Sequence, residues 1–395
     1  MLLICNAGSS SLKAELFERR GGGVRSLARG AVERIGTGRA QLRIGGDTDA
    51  LGRVDSHGRA AALLLERLGA AAGLGESAAA RIAATGHRVV HGGDRYASPV
   101  RVTPNVYREL ESLAHLAPLH NPPALEVMRA VDRMLPDAPM VAAFDTAFFR
   151  ALPEHVRRYA IPAAWSVGYG IERFGFHGIA HEWLARRLAE LNGGAPPPRA
   201  VTLQLGHGCS AAALAAGRPV ETSMGFTPLE GLIMATRPGD VDPGVLLYLS
   251  SQGYSREALD EGLNREAGLK GLSDASGDMR ELLALEARGH AGAALAVTAF
   301  CHRVRKYLGA YAAVLGGLDA IAFGGGIGEH APAIRARICE GLRWLGFELD
   351  AAANEAAVGR EGRISTPSSS IDAFVVSVRE EQLIAERMLT LLEAA

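Results

Sequence analysis

MLLICNAGSSSLKAELF, residues 1–17, opens the chain with two short apolar runs on either side of a polar turn that contains a glycine. Such runs around such a turn predict a buried β-hairpin. The turn offers three hydroxyl groups (Ser9, Ser10 and Ser11) and is followed by Lys13, a combination that suits an anion such as a phosphate. An ordinary hairpin whose serines bond to their own backbone explains this stretch equally well. The rest of the chain must distinguish the two interpretations.

The composition indicates a globular enzyme. A chain of 395 residues is too long for one hydrophobic core and predicts two domains, or three. A formal charge of −1 argues against a nucleic-acid or membrane-surface partner. The four cysteines lie far apart, which argues against a disulfide framework or a zinc site. Because no apolar run is long enough to span a membrane and the start lacks a basic signal-peptide segment, we expect a cytoplasmic protein.

Hydrophobic periodicity places the main elements. Alternating apolar residues over 19–55 predict further antiparallel strands, and helical spacing follows over 59–71. Asn121 is predicted to cap a helix that has Pro122 at its first position. Two prolines near residues 150–165 break the pattern. We therefore expect one domain over residues 1–149 plus 378–395 and a second over residues 150–377.

Glycine turns recur after predicted strands. The strand at 200–205 enters Gly206-His207-Gly208-Cys209-Ser210 and continues as a second strand, which repeats the opening hairpin and indicates an internal duplication. A third glycine cluster, residues 324–330, follows a buried strand and precedes a helix predicted from Pro332. A helix N-terminus favours a phosphate there. Together the turns suggest a nucleotide held between two related domains, although neither a P-loop nor a Rossmann motif is present.

Other chemistries are less well supported. His87 and His91, like His177 and His181, are four residues apart and invite a zinc hypothesis, but neither pair has the glutamate of HExxH. Asp240 and Asp242, in the glycine- and proline-rich loop 221–244, could be a hydrolase pair. Carboxylates in such a loop more often bond to backbone amides.

Two arginines stand in glycine-rich and otherwise rather apolar contexts. Arg88 lies in HRVVHGG and Arg237 in ATRPGD. A guanidinium in such surroundings is costly unless it is paired, so a structural ion pair is one interpretation. The other is a clamp on a carboxylate or on a phosphoryl group in transfer, for which the geometry of arginine is suited.

The motifs combine into a recognisable pattern. They are NAGSSSLK (6–13), GHRVVHGG (86–93), APLHNPP (117–123), FDTAF (144–148), RFGFHGIAH (173–181), TSMGFTPLEGLIMATRPGDVDPG (222–244) and GGIGEH (325–330). In this order they closely resemble the acetate kinase family, within the acetate/propionate kinase group. The resemblance implies a duplicated α/β fold of the sugar-kinase/Hsp70/actin (ribonuclease H-like) type with a cleft between two domains, and usually a homodimer. It also implies ATP + acetate ⇌ ADP + acetyl phosphate, with Mg²⁺ or Mn²⁺.

The resemblance also implies roles for residues. Arg88 and Arg237 would hold acetate and the phosphoryl group, His177 would stabilise the phosphoryl oxygens, and His120 would support the site. Asn6, Asp145 and Glu380 would organise the metal, with Glu381 as an alternative to Glu380. Ser9, Ser11 and Lys13 would face phosphate. The acetate methyl group would sit among Val90, Leu119, Phe176 and Pro228. The nucleotide would contact Gly206, His207, Gly208, Cys209, Ser210, Asp278, Met279, Arg280, Gly326, Ile327, Gly328, Glu329 and His330.

Departures from the family pattern lie mainly on the nucleotide side. The family's HLGNG appears as Gln204-Leu205-Gly206-His207-Gly208, GIGEN ends in His330, and the aspartate of DTSMG is Glu221. Gln204 can donate a hydrogen bond to a phosphate but carries no charge. We therefore expect an active enzyme with an altered phosphoryl-donor preference or a reduced rate. The alternatives are a propionate kinase, a kinase of longer acyl chains, and a nucleotide-binding member with low turnover and a regulatory role.

Overall fold

The structure is a computed structural model that describes residues 1–75 and 78–394. Its contacts divide the chain into two compact units, Met1–Arg150 with Arg379–Ala395, and Ala151–Val378. The predicted segment 378–395 ends at Ala395, which lies outside the described residues. In these described ranges, no helix is both long enough and apolar enough to cross a membrane.

The described elements form runs of consecutive strands that are separated by single helices or by runs of helices. The strands are β1 (Leu2–Ala7), β2 (Ser11–Arg20), β3 (Gly23–Glu33), β4 (Ala40–Ile44), β5 (Asp47–Gly52), β6 (Ala84–Val89), β7 (Val100–Arg101), β8 (Met140–Phe144), β9 (Arg199–Leu205), β10 (Cys209–Ala215), β11 (Arg218–Thr222), β12 (Ala320–Gly324), β13 (Gly362–Arg363) and β14 (Asp372–Val375). The α-helices are α1 (His57–Ala71), α2 (Pro104–Ser112), α3 (Asn121–Met134), α4 (Glu154–Arg157), α5 (Ala163–Tyr169), α6 (Gly178–Leu191), α7 (Pro243–Ser251), α8 (Arg256–Glu261), α9 (Gly268–Ser273), α10 (Met279–Ala287), α11 (Ala291–Leu315), α12 (Gly325–His330), α13 (Pro332–Glu340), α14 (Ala351–Ala356) and α15 (Glu380–Glu393).

The predicted opening hairpin is confirmed. Strands β1 and β2 are antiparallel, and their register pairs Leu2 with Phe17 and Asn6 with Lys13. On its other edge β1 pairs in parallel with β6. Every residue of β1 is buried, and helices α3 and α15 pack against it. An interior strand covered by helices reads as an uninterrupted apolar run, which is why Leu2 to Cys5 show no alternation.

The sheets of the two units share a common core of five strands. In the first unit the order is β5-β4-β3-β2-β1-β6-β8-β7, and in the second it is β11-β10-β9-β12-β14-β13. The shared part is three consecutive antiparallel strands followed by two strands added in parallel to the first of the three. This repetition confirms the predicted duplicated α/β fold. It makes the turn between β9 and β10 the counterpart of the opening turn between β1 and β2.

Two local predictions were wrong. Asn121 is not a helix cap, because His120 occupies the cap position of α3 and the Asn121 amide instead bonds to the backbone of His91. Residues 325–330 are not an open glycine turn but the short helix α12. Gly325 has φ of 74°, and a side chain there would come within 2.7 Å of the Leu205 carbonyl oxygen. Close packing against β9 therefore requires this glycine.

Candidate functional site

Parallel strand pairing brings two predicted site residues of the first unit side by side. Asn6 in β1 and Arg88 in β6 are partners in the strand register. Strand β8 lies on the other side of β6, and Asp145 follows its last residue directly. The carboxyl ends of parallel strands meet at one edge of a sheet, which is where polar side chains converge in open α/β folds.

Arg88 is the centre of a hydrogen-bonded cluster. Its Nε and Nη2 atoms donate to the two carboxylate oxygens of Asp145 at 3.0 and 2.5 Å, which is the bidentate geometry that suits a guanidinium. Its Nη1 donates to Oδ1 of Asn6 at 2.9 Å. The Nδ2 of Asn6 donates in turn to Glu380 Oε2 and to Glu381 Oε1, both at 2.9 Å. We call these five residues the arginine–carboxylate cluster.

The charges of the arginine–carboxylate cluster do not balance. Three carboxylates face one guanidinium, so the ionised cluster carries −3 + 1 = −2. Burial lowers the pKa of Arg88, but Asp145, Glu380 and Glu381 outweigh burial and hold that pKa well above its ordinary value. Hard oxygen donors with excess negative charge suit Mg²⁺, which binds through one or two carboxylates and keeps several waters. Within residues 1–75 and 78–394, no group of three histidine, cysteine or acidic side chains is arranged as direct metal ligands.

The opening turn lies at the end of β1, directly after the strand that carries Asn6. The Gly8 amide donates to the Ser11 carbonyl oxygen at 2.8 Å and closes the turn. Ser9 and Lys13 are exposed and Ser11 is half-buried, so these side chains can reach a ligand in solution. His120 is half-buried at the start of α3.

In the second unit, the turn after β9 meets the glycines of α12. The Gly206 amide donates to the Gly208 carbonyl oxygen at 3.1 Å. A side-chain carbon added to Gly206 would lie 3.9 Å from the Gly326 amide nitrogen. Two of the three predicted glycine turns are therefore neighbours. Parallel pairing of β9 with β12 explains this, because each turn follows the carboxyl end of its strand.

Arg237 is held by the backbone rather than by a carboxylate. Its Nη1 donates to the Pro228 carbonyl oxygen at 2.8 Å. Among the residues that the structure describes, no acidic side chain forms an ion pair with it, and burial lowers the pKa of its guanidinium. A desolvated cation without a counter-ion costs on the order of several kcal/mol. This arrangement is expected of an arginine whose charge is matched by a bound anion.

His177 and Arg237 converge above the turn after β9. A side-chain carbon added to Gly208 would lie 2.7 Å from Arg237 Nη2 and 3.3 Å from His177 Nε2. His177 has φ of 58° and precedes the first turn of α6. Its Nδ1 lies 2.9 Å from Ser210 Oγ, and Nε2 of His181 lies 2.8 Å from the same oxygen. Both histidines therefore lie within hydrogen-bonding distance of the Ser210 hydroxyl.

The other predicted nucleotide contacts are arranged around this turn. The His207 carbonyl oxygen accepts from the Ala235 amide, which links the turn to the Arg237 loop. Burial lowers the pKa of His207, and Arg237 lowers it further, against an opposing effect of Asp278. Asp278 caps α10 and bonds to the exposed Arg280, and Met279 is buried. Cys209 is fully buried, and its thiol donates to the Gly206 carbonyl oxygen at 3.2 Å.

The side chains of α12 make contacts both within the helix and outside it. His330 Nδ1 lies 3.2 Å from the Gly326 carbonyl oxygen, and Glu329 Oε1 accepts from the Val378 amide at 3.2 Å. The fully buried Arg335 donates to the carbonyl oxygen of Gly328 at 2.7 Å. Ile327 is half-buried.

The four residues predicted around the acetate methyl group divide between the units. Val90 is buried and Leu119 is exposed in the first unit. Phe176 is buried and Pro228 is half-buried in the second.

The carboxylates of the loop 221–244 have structural roles. Asp242 caps α7, and Asp240 accepts from the Gly231 amide and from the hydroxyl of Tyr307. The interpretation as backbone-bonding loop residues is confirmed.

Sequence reasoning missed a charged network that holds this loop. Arg173 donates to Glu230 at 2.7 Å and to the carbonyl oxygens of Thr222 and Met224. The Tyr159 hydroxyl donates to Glu230 at 2.5 Å. The one sequence signal for this network was the position of Arg173 in the RFGFHGIAH motif, because the partners of Arg173 are far from it in sequence.

The second unit places a guanidinium and an imidazole close together, and the first gathers three carboxylates in one cluster with a guanidinium. Phosphoryl transfer needs this kind of positioning and charge stabilisation and little covalent chemistry from the protein.

Comparison with known proteins agrees with this chemistry. The family model described as "Acetokinase family" matches residues 1–386. An acetate kinase from Pseudarthrobacter chlorophenolicus is 44% identical over 390 residues, which cover 98% of this chain and 97% of that protein. The crystal structure of an acetate kinase from Porphyromonas gingivalis is similar at a TM-score of 0.90, with 38% identity and 99% of each chain covered. A propionate kinase from Francisella tularensis is similar at a TM-score of 0.88, with 32% identity and 98% of each chain covered.

Proposed function

The chain belongs to the acetokinase family and is a kinase that acts on acetate, and from this premise we propose how its residues transfer a phosphoryl group from ATP. A carboxylate oxygen of acetate forms a bond to the γ-phosphorus as the bridging bond to ADP breaks in line with it. The electron pair of the broken bond stays on ADP, and the products are acetyl phosphate and ADP. Acetate is already an anion at neutral pH, so the step needs no general base.

We propose that Arg237 and Arg88 bind acetate and the phosphoryl group. His177 donates to the oxygens of the phosphoryl group, which carry the charge in the transition state. The observation that carries this proposal is the Arg237 guanidinium, which has no carboxylate partner among the described residues and converges with His177 above Gly208.

We propose that the arginine–carboxylate cluster holds Mg²⁺ or Mn²⁺. Asn6, Asp145 and Glu380 or Glu381 would hold it. Both glutamates accept from Asn6 at the same 2.9 Å, so geometry does not favour either. When bound, the metal neutralises charge on the phosphates of ATP. Arg88 orients Asp145 in its bidentate ion pair.

We propose that the nucleotide lies along the turn Gly206–Ser210, the segment Asp278–Arg280 and helix α12. The first two are linked through the loop that carries Arg237, and Gly206 adjoins Gly326. Ser9, Ser11 and Lys13 would face the phosphates, and His120 would support the acyl site. The substituted Gln204 has a buried Oε1 without a hydrogen-bond partner in the described part of the chain. The hypothesis of an altered donor preference or a slow, regulatory member rests on the presence of Gln204 where the family has a histidine.

The test is hydroxamate detection of acyl phosphate with acetate, propionate and butyrate. Arg237→Ala should lower kcat/KM by about 10³-fold or more, as removal of a charge-stabilising arginine does. Arg256→Ala is the matched control, because Arg256 is an exposed arginine of the same unit that pairs with Glu257. Wild-type kcat/KM in Arg237→Ala would refute the proposed role. A higher kcat/KM for propionate than for acetate would favour the propionate kinase alternative.

We further propose a homodimer that works in the cytoplasm. Apolar side chains of the second unit are widely exposed, with Val167 and Tyr169 on α5 at 75% and 77% and Leu247 on α7 at 74%. Exposed apolar side chains of this kind favour protein–protein contact. Leu247→Glu should convert a dimer into a monomer in sedimentation-velocity experiments. A dimer that persists in this variant would exclude α7 from the interface.

A further inference from the structure

We propose that Thr202, His181 and Ser210 form a directional chain of hydrogen bonds that fixes the tautomer of His177, so that Nε2 of His177 carries the proton. This inference rests on the proposed role of His177 as a donor to the phosphoryl group. The three residues are positioning residues, because their side chains act through His177. We call them, with His177, the Thr202 chain.

The contacts of the Thr202 chain are continuous. Thr202 Oγ1 lies 2.7 Å from His181 Nδ1, and His181 Nε2 lies 2.8 Å from Ser210 Oγ. Ser210 Oγ lies 2.9 Å from His177 Nδ1. Thr202, His181 and Ser210 are fully buried. The strand register explains the alignment, since Thr202 in β9 and Ser210 in β10 lie on neighbouring strands next to helix α6.

The two hydroxyl groups of the Thr202 chain determine which atom donates in each of its hydrogen bonds. A hydroxyl has one hydrogen to donate, and a buried donor needs an acceptor. Among the described residues, the Thr202 hydroxyl has only His181 Nδ1 within hydrogen-bonding distance, so it donates there. His181 then carries its hydrogen on Nε2 and donates to Ser210. The Ser210 hydroxyl has only the two histidines as partners in this part of the chain, and it donates to Nδ1 of His177.

The other arrangements leave a buried hydrogen unmatched. If His177 Nδ1 donated to Ser210, every bond would reverse, and His181 would donate to Thr202, whose own hydrogen would have no acceptor in the described structure. If both histidines donated to Ser210, the serine hydrogen would have none. Only the direction from Thr202 to His177 gives the Thr202, His181 and Ser210 donors an acceptor each, and in this direction Nδ1 of His177 is the last acceptor.

The consequence is a neutral imidazole with its hydrogen on the side that faces Gly208. His177 Nε2 then presents an N–H beside Nη2 of Arg237 at the same point above the turn. Two donor nitrogens therefore lie within 3.3 Å of one point, and donors gathered in this way can stabilise an oxyanion. An imidazolium would need a hydrogen on Nδ1 as well and would break the direction of the chain. The chain thus also keeps a second positive charge away from Arg237.

The decisive measurement is the ring-nitrogen chemical shifts of His177 in the full-length enzyme. Uniformly ¹⁵N-histidine-labelled protein would be studied by magic-angle-spinning NMR near neutral pH, and His177→Gln would assign the signals. A protonated Nε2 and an unprotonated Nδ1 are expected. A protonated Nδ1 would overturn the proposal whatever the activity of the enzyme. The chemical shifts do not depend on catalysis, so they test the Thr202 chain separately from the proposed role of His177 as a donor to the phosphoryl group. That role fails if His177→Gln keeps wild-type kcat.

Kinetics of chain variants give the second test. Thr202→Val removes the hydroxyl donor that sets the direction of the hydrogen bonds. Ser210→Ala interrupts the Thr202 chain and replaces the first variant if that variant does not fold. Both should lower kcat by about 10²- to 10³-fold, the scale of losing one transition-state donor, with KM for acetate nearly unchanged. Thr202→Ser keeps the hydroxyl and should restore most of the rate. A folded Thr202→Val enzyme with wild-type kcat, or a Thr202→Ser enzyme as slow as Thr202→Val, would contradict the proposal.

Discussion

Asn6 Oδ1 accepts a hydrogen bond of 2.9 Å from Arg88 Nη1, while Nδ2 of the same amide donates to Glu380 and Glu381. One asparagine therefore connects the guanidinium to two carboxylates through the two ends of its amide. Only an amide has both an acceptor and two donor hydrogens at this size. The part of the cluster that joins β1 to α15 depends on this residue.

Asn6→Asp should destabilise the first unit in a pH-dependent manner. The new carboxylate would face Glu380 and Glu381 at hydrogen-bonding distance, and the repulsion raises the pKa of a carboxyl group there. A raised carboxyl pKa means that destabilisation is present above that pKa and is relieved as the pH falls through it. We expect a loss of about 1–3 kcal/mol at pH 7 that shrinks toward pH 5, measured by denaturant unfolding.

The control for Asn6→Asp is the same substitution at Asn105, an exposed residue of α2 in the same unit. Asn105→Asp should change the free energy of unfolding by less than about 0.5 kcal/mol at either pH. An Asn6→Asp enzyme as stable as wild type at pH 7 would show that the amide does not bridge these carboxylates.

His87 should make the protein sensitive to acid. It is buried, its Nε2 has no hydrogen-bond partner among the described residues, and burial lowers its pKa to about 3. The unfolded chain takes up this proton near pH 6.5, so below that pH the unfolded state binds more protons and stability falls as pH decreases. Between pH 7 and pH 5 this single group removes about 2 kcal/mol.

The measurement for His87 compares the unfolding free energy of wild type and His87→Leu across that pH range. The variant should lose about 2 kcal/mol less than wild type on acidification, whatever its stability at pH 7. Equal losses in the two proteins would mean that His87 is protonated in the folded state.

Gln204→His should change the use of the phosphoryl donor and not that of acetate. Gln204 lies in β9 next to the turn that carries Gly206, and its buried Oε1 has no partner in the described chain. A histidine can add a positive charge toward a phosphate, which glutamine cannot. We expect a change of about tenfold in kcat/KM for the donor, near 1.4 kcal/mol, with KM for acetate unchanged. Ordinary ATP kinetics of the wild type in a comparison with GTP and pyrophosphate would remove the reason for this expectation.

Much of the fold was predictable because it depends on the local pattern of apolar residues and glycines. The opening hairpin, the strand 140–144 and the helix 291–315 follow from apolar periodicity and glycine boundaries, and the structure has them at those places. The cap at Asn121 was mispredicted because its amide bonds to His91, a partner 30 residues away that no local rule reveals. Helix α12 was missed because glycines disfavour helices, and only packing against β9 selects that conformation.

The candidate site shows the same limit. Residue types identified Arg88 and Arg237 as unusual cations, but sequence could not tell that Arg88 has a carboxylate partner whereas Arg237 bonds to a carbonyl oxygen. His181 looked like half of a metal pair, and its role became visible only when β9 and β10 brought Thr202 and Ser210 to it. Hydrogen bonds between residues that are far apart in sequence decide these roles. A spacing of four residues does not reveal such partners.

Gly208→Ala should reduce catalysis while leaving stability nearly intact. The added methyl group would come within 2.7 Å of Arg237 Nη2 and 3.3 Å of His177 Nε2. The guanidinium is the flexible end of a long side chain, so it moves away from the methyl group at little cost to the fold but leaves its position beside the substrate. We expect kcat to fall by about 10²-fold with a nearly unchanged Tm. Gly309→Ala in α11 is the control, because nothing lies within 4 Å of the added methyl group and helix propensity should stabilise it by about 0.5–1 kcal/mol. A Gly208→Ala enzyme with wild-type kcat would show that Arg237 and His177 do not act at this point.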